Sequence, residues 1–203
     1  MSLFFRLPCL VLLAAVLLGG CAVKRPVQDA RYDFGSLTTI PGAALPALPP
    51  VNVSEVRTAD WLDHPRMLFR LRYREDHQPR VYADSRWIMP PGSMFERRLS
   101  MRITQAGGVV LAPSDGVARI PSLHIDLEDF IQDFDAPAQS TGRVVARATL
   151  MRGRTLVGQK TFAKEVPAPS ADAVGGARAL AAASDAVIVD MMHWLAPLLA
   201  QSN

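Results

Sequence analysis

The sequence predicts an α/β fold of mixed α+β character: a single mixed, largely antiparallel sheet packed against two main helices. Three observations predict it. Apolar and polar residues alternate at 67–73, at 123–134 and at 144–150, as half-buried strands require. Phe95, Leu99 and Ile103 recur at a spacing of four ahead of Gly107-Gly108, which gives a helix one apolar stripe and a stop. After Ser170 an alanine-rich stretch carries Val174, Ala177, Ala181, Ile188, Met191 and Leu195 at helical spacing.

Ahead of all this stand the three parts of a secretory signal: Arg6, an apolar stretch from Leu7 to Leu18, and a small-residue exit. The exit reads Leu18-Gly19-Gly20-Cys21, a lipobox, in which two residues without bulk let a peptidase reach the Gly20–Cys21 bond beside an acylated thiol. Residues 1–20 are therefore expected to be removed. An uncleaved membrane anchor is the rival, because the apolar run continues weakly through Ala22 and Val23 to about 17 residues, the lower limit for a span. The glycines at its end and the charge of Lys24-Arg25, greater than that of Arg6 before it, oppose that rival. Cys9 leaves with the signal, so no disulfide is available to the mature chain. Cys21 is expected to carry diacylglycerol by thioether and a further acyl chain on its amine, well beyond the two signals that stable membrane attachment takes. Ala22 stands where aspartate retains enterobacterial lipoproteins at the inner membrane, so the expected location is the periplasmic leaflet of the outer membrane.

Removing 20 of 203 residues leaves 183, the size of one domain with a sizeable core. Loss of Arg6 leaves 21 basic against 19 acidic residues, a balance that does not suggest nucleic-acid binding. Residues 21–50 are expected to hold the lipidated terminus, a first strand at Tyr32 to Phe34 and a proline-rich linker; 51–203 hold the rest of a domain that spans about 30–200. Pro41, Pro46, Pro49 and Pro50 forbid helix and central strand in the linker.

A strand is expected from Val51 to Val56. From Met67 to Tyr73 the apolar residues share one face, and Arg66, Arg70, Arg72 and Arg74 share the other. Glu75 to Pro79 reads as a five-residue hairpin loop before a strand from Arg80 to Trp87. Ser93 and Glu96 match a capping box, so a helix is expected to start near Met94, with Arg97, Arg98 and Arg102 on its wet side. Val109 to Leu111 reads as a strand. Leu127 and Phe130 fall out of phase within the next one, which predicts a bulge near Glu128-Asp129. Strands at Val144 to Leu150 and Thr155 to Val166 flank the turn Arg152-Gly153-Arg154. Ser170 is the expected cap of the last helix and Pro197 its end; the small residues of its first half would let it lie close to the sheet, at a cost of about 1 kcal/mol for each of Gly175 and Gly176.

In order and spacing, the lipobox, Tyr32 to Gly35, Trp61-Leu62-Asp63 followed by Leu68 to Arg70, Tyr82 to Trp87, Leu123 to Phe134 and the alanine-rich last helix resemble the ABC-type transport auxiliary lipoprotein component family, the group that includes paraquat-inducible protein C. The resemblance runs from Cys21 to about Pro197. Trp87 is followed by Ile88-Met89, where a small and then an acidic residue is commoner in the family. The resemblance implies a non-enzymatic accessory subunit beside an MCE-domain protein, an ABC permease and an ATPase, in a system that carries phospholipid between membranes. It implies no cofactor beyond the lipid on Cys21. A structural or assembly lipoprotein of another envelope complex is the alternative.

No catalytic signature competes with that reading. G-x-S-x-G, H-E-x-x-H and C-x-x-C are absent, and His64, His77, His124 and His193 are dispersed. Asp126, Glu128, Asp129, Asp133 and Asp135 form the densest acidic run, but the spacing fits no calcium loop, and pairing across to Arg143 and Arg147 accounts for it. No metal site is expected. Arg66, Arg70, Arg72 and Arg74 are candidates for contact with headgroups or an acidic partner, with a solvated strand face as the plainer account. Trp61, Tyr82, Trp87 and Trp194 read as core or interface aromatics before they read as a lipid groove. Asn52-Val53-Ser54 matches a glycosylation acceptor by chance.

Overall fold

A computed structural model of the chain describes residues 29–39, 44–117 and 119–201. The signal, the lipobox and Cys21 lie outside the described residues.

Among the described residues the elements run β1 (Ala30–Tyr32), β2 (Val51–Val53), β3 (Arg57–Thr58), β4 (Arg66–Leu71), β5 (Glu75–Trp87), α1 (Pro91–Gln105), β6 (Val110–Leu111), β7 (Ser122–Ala136), β8 (Gln139–Arg152), β9 (Thr155–Pro167) and α2 (Ala173–Ala200). They form a nine-strand mixed sheet, not closed, with two helices. The long strand β7 is its hub. On one side β7 pairs antiparallel with β8, and β8 with β9; on the other it takes β2, β3 and β4 in turn, all parallel. Beyond β4 come β5 and β1; beyond β2 comes β6.

Alternation in β7 and β8 decides the buried face. Leu123, Ile125, Leu127, Val144, Ala146, Ala148 and Leu150 are at most 1% exposed. The register shifts between Leu127 and Asp129, so the expected bulge is present and returns Phe130 to the buried side. α2 covers this face with Leu180, Val187, Ile188, Met191 and Leu195. It is long and apolar enough to cross a membrane, but half of its most apolar window is buried inside the protein. Its small residues let it lie close, as expected. A Cβ on Gly142 of β8 would stand 2.6 Å from the backbone of Ala179 and Leu180, and one on Gly176 would stand 1.9 Å from Gln132 Oε1. Gly176 thus gives up helix propensity for close packing on the Gln132 side chain, and Gly142 lets the α2 backbone lie directly on β8.

Several local expectations change. Arg72, Tyr73 and Arg74 make the hairpin turn, and Glu75 to Pro79 belong to β5. Pro79 is tolerated because β1 reaches only Ser85 to Trp87, so the outer edge there is open, and because the register breaks beside Arg70. Arg72 and Arg74 therefore lie beyond β4 and do not share a strand face with Arg66 and Arg70. α1 starts at Pro91, whose ring presets the first helical residue, and its cap is Pro90; there is no capping box at Ser93. Glu96 accepts instead from the Val56 amide at 3.3 Å, tying the helix to the segment between β2 and β3. The cap of α2 is Asp172, which accepts from the Gly175 amide at 2.7 Å, and Ser170 donates to the Asp172 carboxylate. That amide holds the carboxyl of Asp172 below its ordinary range. Pro197 does not end α2; buried Leu199 keeps the last turn on the sheet, to Ala200.

Gly142→Val would place branched carbon atoms into the α2 backbone. Such overpacking costs about 1–3 kcal/mol, so the denaturant midpoint should fall with the slope unchanged, whereas an exposed control such as Thr161→Val should leave it in place.

Candidate functional site

The residues that set where the amino-terminal tether leaves the domain form the best-defined polar site among the described residues. After β1 the chain runs as a strap through Asp33 to Thr39. Phe34 turns inward, its ring stacked at 5.9 Å on Phe130 and edge-on at 6.1 Å to Trp87, while Trp87 and Phe130 meet at 5.5 Å. Each aromatic pair of this kind contributes about 0.5–1.5 kcal/mol beyond burial. Upstream, β1 pairs with the end of β5, and Arg86 bonds Asp29.

α1 holds the rest of the strap. Arg98 and Arg102, expected on the wet side of the helix, are 4% and 1% exposed. They are buried because the strap and α2 cover that side. Arg102 binds both carboxylate oxygens of Asp185 on α2, through Nε at 3.0 Å and Nη2 at 2.9 Å, and its Nη1 donates to the Thr38 carbonyl at 2.6 Å. Gln105 accepts a further bond from the same nitrogen at 2.9 Å. Arg98 donates through Nη2 to the Phe34 carbonyl and approaches Asp185 at 3.4 Å. Burial pulls the Arg98 guanidinium below its ordinary pKa, with Asp185 opposing and Arg102 reinforcing the shift. One carboxylate thus serves two guanidiniums, and their remaining donors grip carbonyls of the strap. In sequence, the signal was a carboxylate set among alanine and valine in the last helix, with two arginines four apart beside an apolar stripe.

The opposite face of the sheet carries a ladder of ion pairs. Asp126 meets Arg57 at 2.8 Å and Arg147 at 3.3 Å, Glu128 meets Arg147 at 2.9 Å, and Asp129 meets Arg143 at 3.1 Å. Pairing of the acidic run across to Arg143 and Arg147 is therefore observed. Asp133 and Asp135 add Arg70 at 3.4 Å and Arg72 at 3.3 Å. Of the four candidate contact arginines, Arg70 and Arg72 are thus already paired. Arg66 and Arg74 are exposed and have no ion-pair partner among the described residues. Exposed pairs of this kind are worth about 0–1 kcal/mol each, so the ladder sets register and neutralises charge more than it stabilises. Asp133 differs: its side chain is 2% exposed, and burial pushes its pKa up to about 6 against the pull of Arg70.

The remaining candidates do not converge. Trp61 is exposed on a turn, Tyr82 donates to Gln132 at 2.9 Å, Trp87 is in the core, and Trp194 packs on Phe162. The four histidines stay apart, and no group of three or more metal-ligating side chains comes together among the described residues.

Two outcomes follow. Arg102→Ala leaves Asp185 with Arg98 alone and should cost about 3 kcal/mol, the lower end of the range for removing one partner of a buried pair; limited proteolysis within 33–39 should accelerate with it. A native carboxyl near pKa 6 against 3.8 when unfolded binds a proton more tightly in the fold. This group therefore adds stability below about pH 4 that is lost as pH rises through 6. In Asp133→Asn that part of the pH dependence of Tm between pH 4 and 7 should vanish.

The fold is shared with two solved proteins of low sequence identity. A Xanthomonas campestris protein of the DUF330 family superposes with a TM-score of 0.74 at 21% identity, covering 85% of this chain and 98% of its own. An uncharacterized protein superposes with a TM-score of 0.64 at 14% identity, covering 83% and 99%. No curated protein matches the sequence. The model of the family described as ABC-type transport auxiliary lipoprotein component matches residues 36–192, from the strap into the last turns of α2. The match takes in the strap from Ser36, strands β2 to β9, all of α1 and α2 as far as Met192, and the chain belongs to the ABC-type transport auxiliary lipoprotein component family.

Proposed function

We propose that this chain is the membrane-tethered docking subunit of an MCE-type ABC system, facing the periplasm and supporting transport of phospholipid between membranes. Membership of the auxiliary lipoprotein family supports the transport setting, and the lipobox at Leu18 to Cys21 supports the tether. The single observation that carries the reading is the clamped strap. A lipid anchor positions a domain only if its tether leaves from a fixed point, and Phe34, Arg98 and Arg102 fix that point mechanically.

Asp29 lies eight positions beyond Cys21. At no more than about 3.6 Å per residue that stretch reaches roughly 30 Å. Acyl chains on Cys21 hold the domain within that distance of the bilayer, on the periplasmic side of the outer membrane by the Ala22 criterion. Confinement to such a shell raises the effective concentration of the domain for a membrane-bound partner without any new contact. The partners are the MCE-domain protein and its permease and ATPase. Arg66 and Arg74 are exposed, have no ion-pair partner among the described residues, and offer their charge to an acidic partner surface or to headgroups.

In cells fed labelled palmitate, the wild-type chain should incorporate label and Cys21→Ala should not, and that variant should fail to support transport. Label retained by Cys21→Ala, or absent from the wild type, would overturn the tether. Crosslinking from intact cells should capture the MCE protein; capture of a different envelope complex would replace transport with the assembly reading.

A further inference from the structure

Beside the strap lies a groove of about 240 Å³ between α1 and the end of β5. Leu37, Ile88, Met89 and Met101 supply apolar wall, and Arg97 and Arg98 line the same space. Ile88 is 46% and Met101 38% exposed, so the groove presents adjoining apolar surface to solvent. Methionine walls adapt to flexible apolar partners.

Charge in this corner is out of balance. Arg98 is buried, yet its Nε has no hydrogen-bond partner. The nearest oxygen of Asp185 stands 3.4 Å from it and already accepts from Arg102 Nε. Asp33 also lines the groove, but one of its oxygens accepts from the Gly35 amide at 2.8 Å. Two guanidiniums, on Arg97 and Arg98, thus line the groove with one carboxylate, that of Asp33. A buried cation without full compensation is costly, and an anion that approaches from the open side relieves that cost.

We infer that this groove binds the head and first methylenes of an anionic amphiphile: a phosphate or carboxylate at Arg97 and Arg98, with its alkyl chain along Leu37, Ile88, Met89 and Met101. A volume below the usual 300–1,000 Å³ of small-molecule pockets admits that much and not a whole diacyl lipid. The inference does not rest on the docking role, since it concerns the isolated protein.

The test uses full-length protein purified from membranes in nonionic detergent, carrying Trp61→Phe and Trp194→Phe so that Trp87, next to Ile88, is the remaining indole. Hexyl phosphate, hexanoate, inorganic phosphate and hexanol are titrated against its emission. Hexyl phosphate or hexanoate should saturate at concentrations about tenfold or more below those of inorganic phosphate and hexanol. The stronger of the two identifies the source as a phospholipid or a fatty acid. Arg97→Glu and Met101→Glu, both at exposed positions, should weaken that binding about tenfold, or about 1.4 kcal/mol, with melting unchanged. Equal response to hexanol would mean partition of any chain, equal response to inorganic phosphate would mean an ordinary anion contact, and binding unchanged in both variants would place the ligand elsewhere; each of these overturns the inference. Loss of transport in Cys21→Ala with groove binding intact would separate the two roles.

Discussion

One carboxylate shared by two buried guanidiniums sets the relation between tether and domain. Asp185 on α2 and the arginines of α1 join the helices, and the donors left over reach Phe34 and Thr38 in the strap. A charged cluster is a weak source of stability, because desolvation offsets most of the attraction. Its value here is directional. Apolar contacts alone would tolerate a strap that slides, whereas a guanidinium fork bonded to a chosen carbonyl does not. Burial of Phe34 between Trp87 and Phe130 adds the apolar half of the same lock.

That lock needs a platform, and β7 supplies it. Fifteen residues long, β7 receives three short parallel strands on one edge and an antiparallel hairpin on the other. Its bulge changes which side chains point inward, so Phe130 reaches the strap while Asp129 joins the ionic face with Arg143. Gly142 and Gly176 allow α2 to approach the sheet, which in turn brings Asp185 within reach of α1. The polar site thus depends on backbone contacts some distance from it. The two faces of the sheet divide the work: one is covered by helices, and the other balances most of its own charge.

Strong periodicity made much of this legible in sequence. β7, β8 and β9, both helices and the bulge follow from where apolar residues recur and where they fall out of phase, since a half-buried element writes its period directly into the chain. The acidic run was legible for the same reason: its members and Arg143 and Arg147 lie on outward positions of neighbouring strands. Element ends were less so. Asp172 displaced Ser170 as a cap, and Pro90 displaced Ser93, because the direction of the incoming chain decides which residue near a helix end takes the cap position.

By itself, the sequence determined the lipobox reading, the alternation of sheet and helix, and the family resemblance, all of which depend on residues near one another in the chain. Only the tertiary structure decided that Arg98 and Arg102 are buried, that Asp185 is their partner 83 residues beyond Arg102, and that Ile88 and Met101 border one groove. The physical reason is that burial of a charge is not a property of the helix that carries it. It depends on what is laid across that helix, and here the covering pieces are a strap from one end of the chain and a helix from the other.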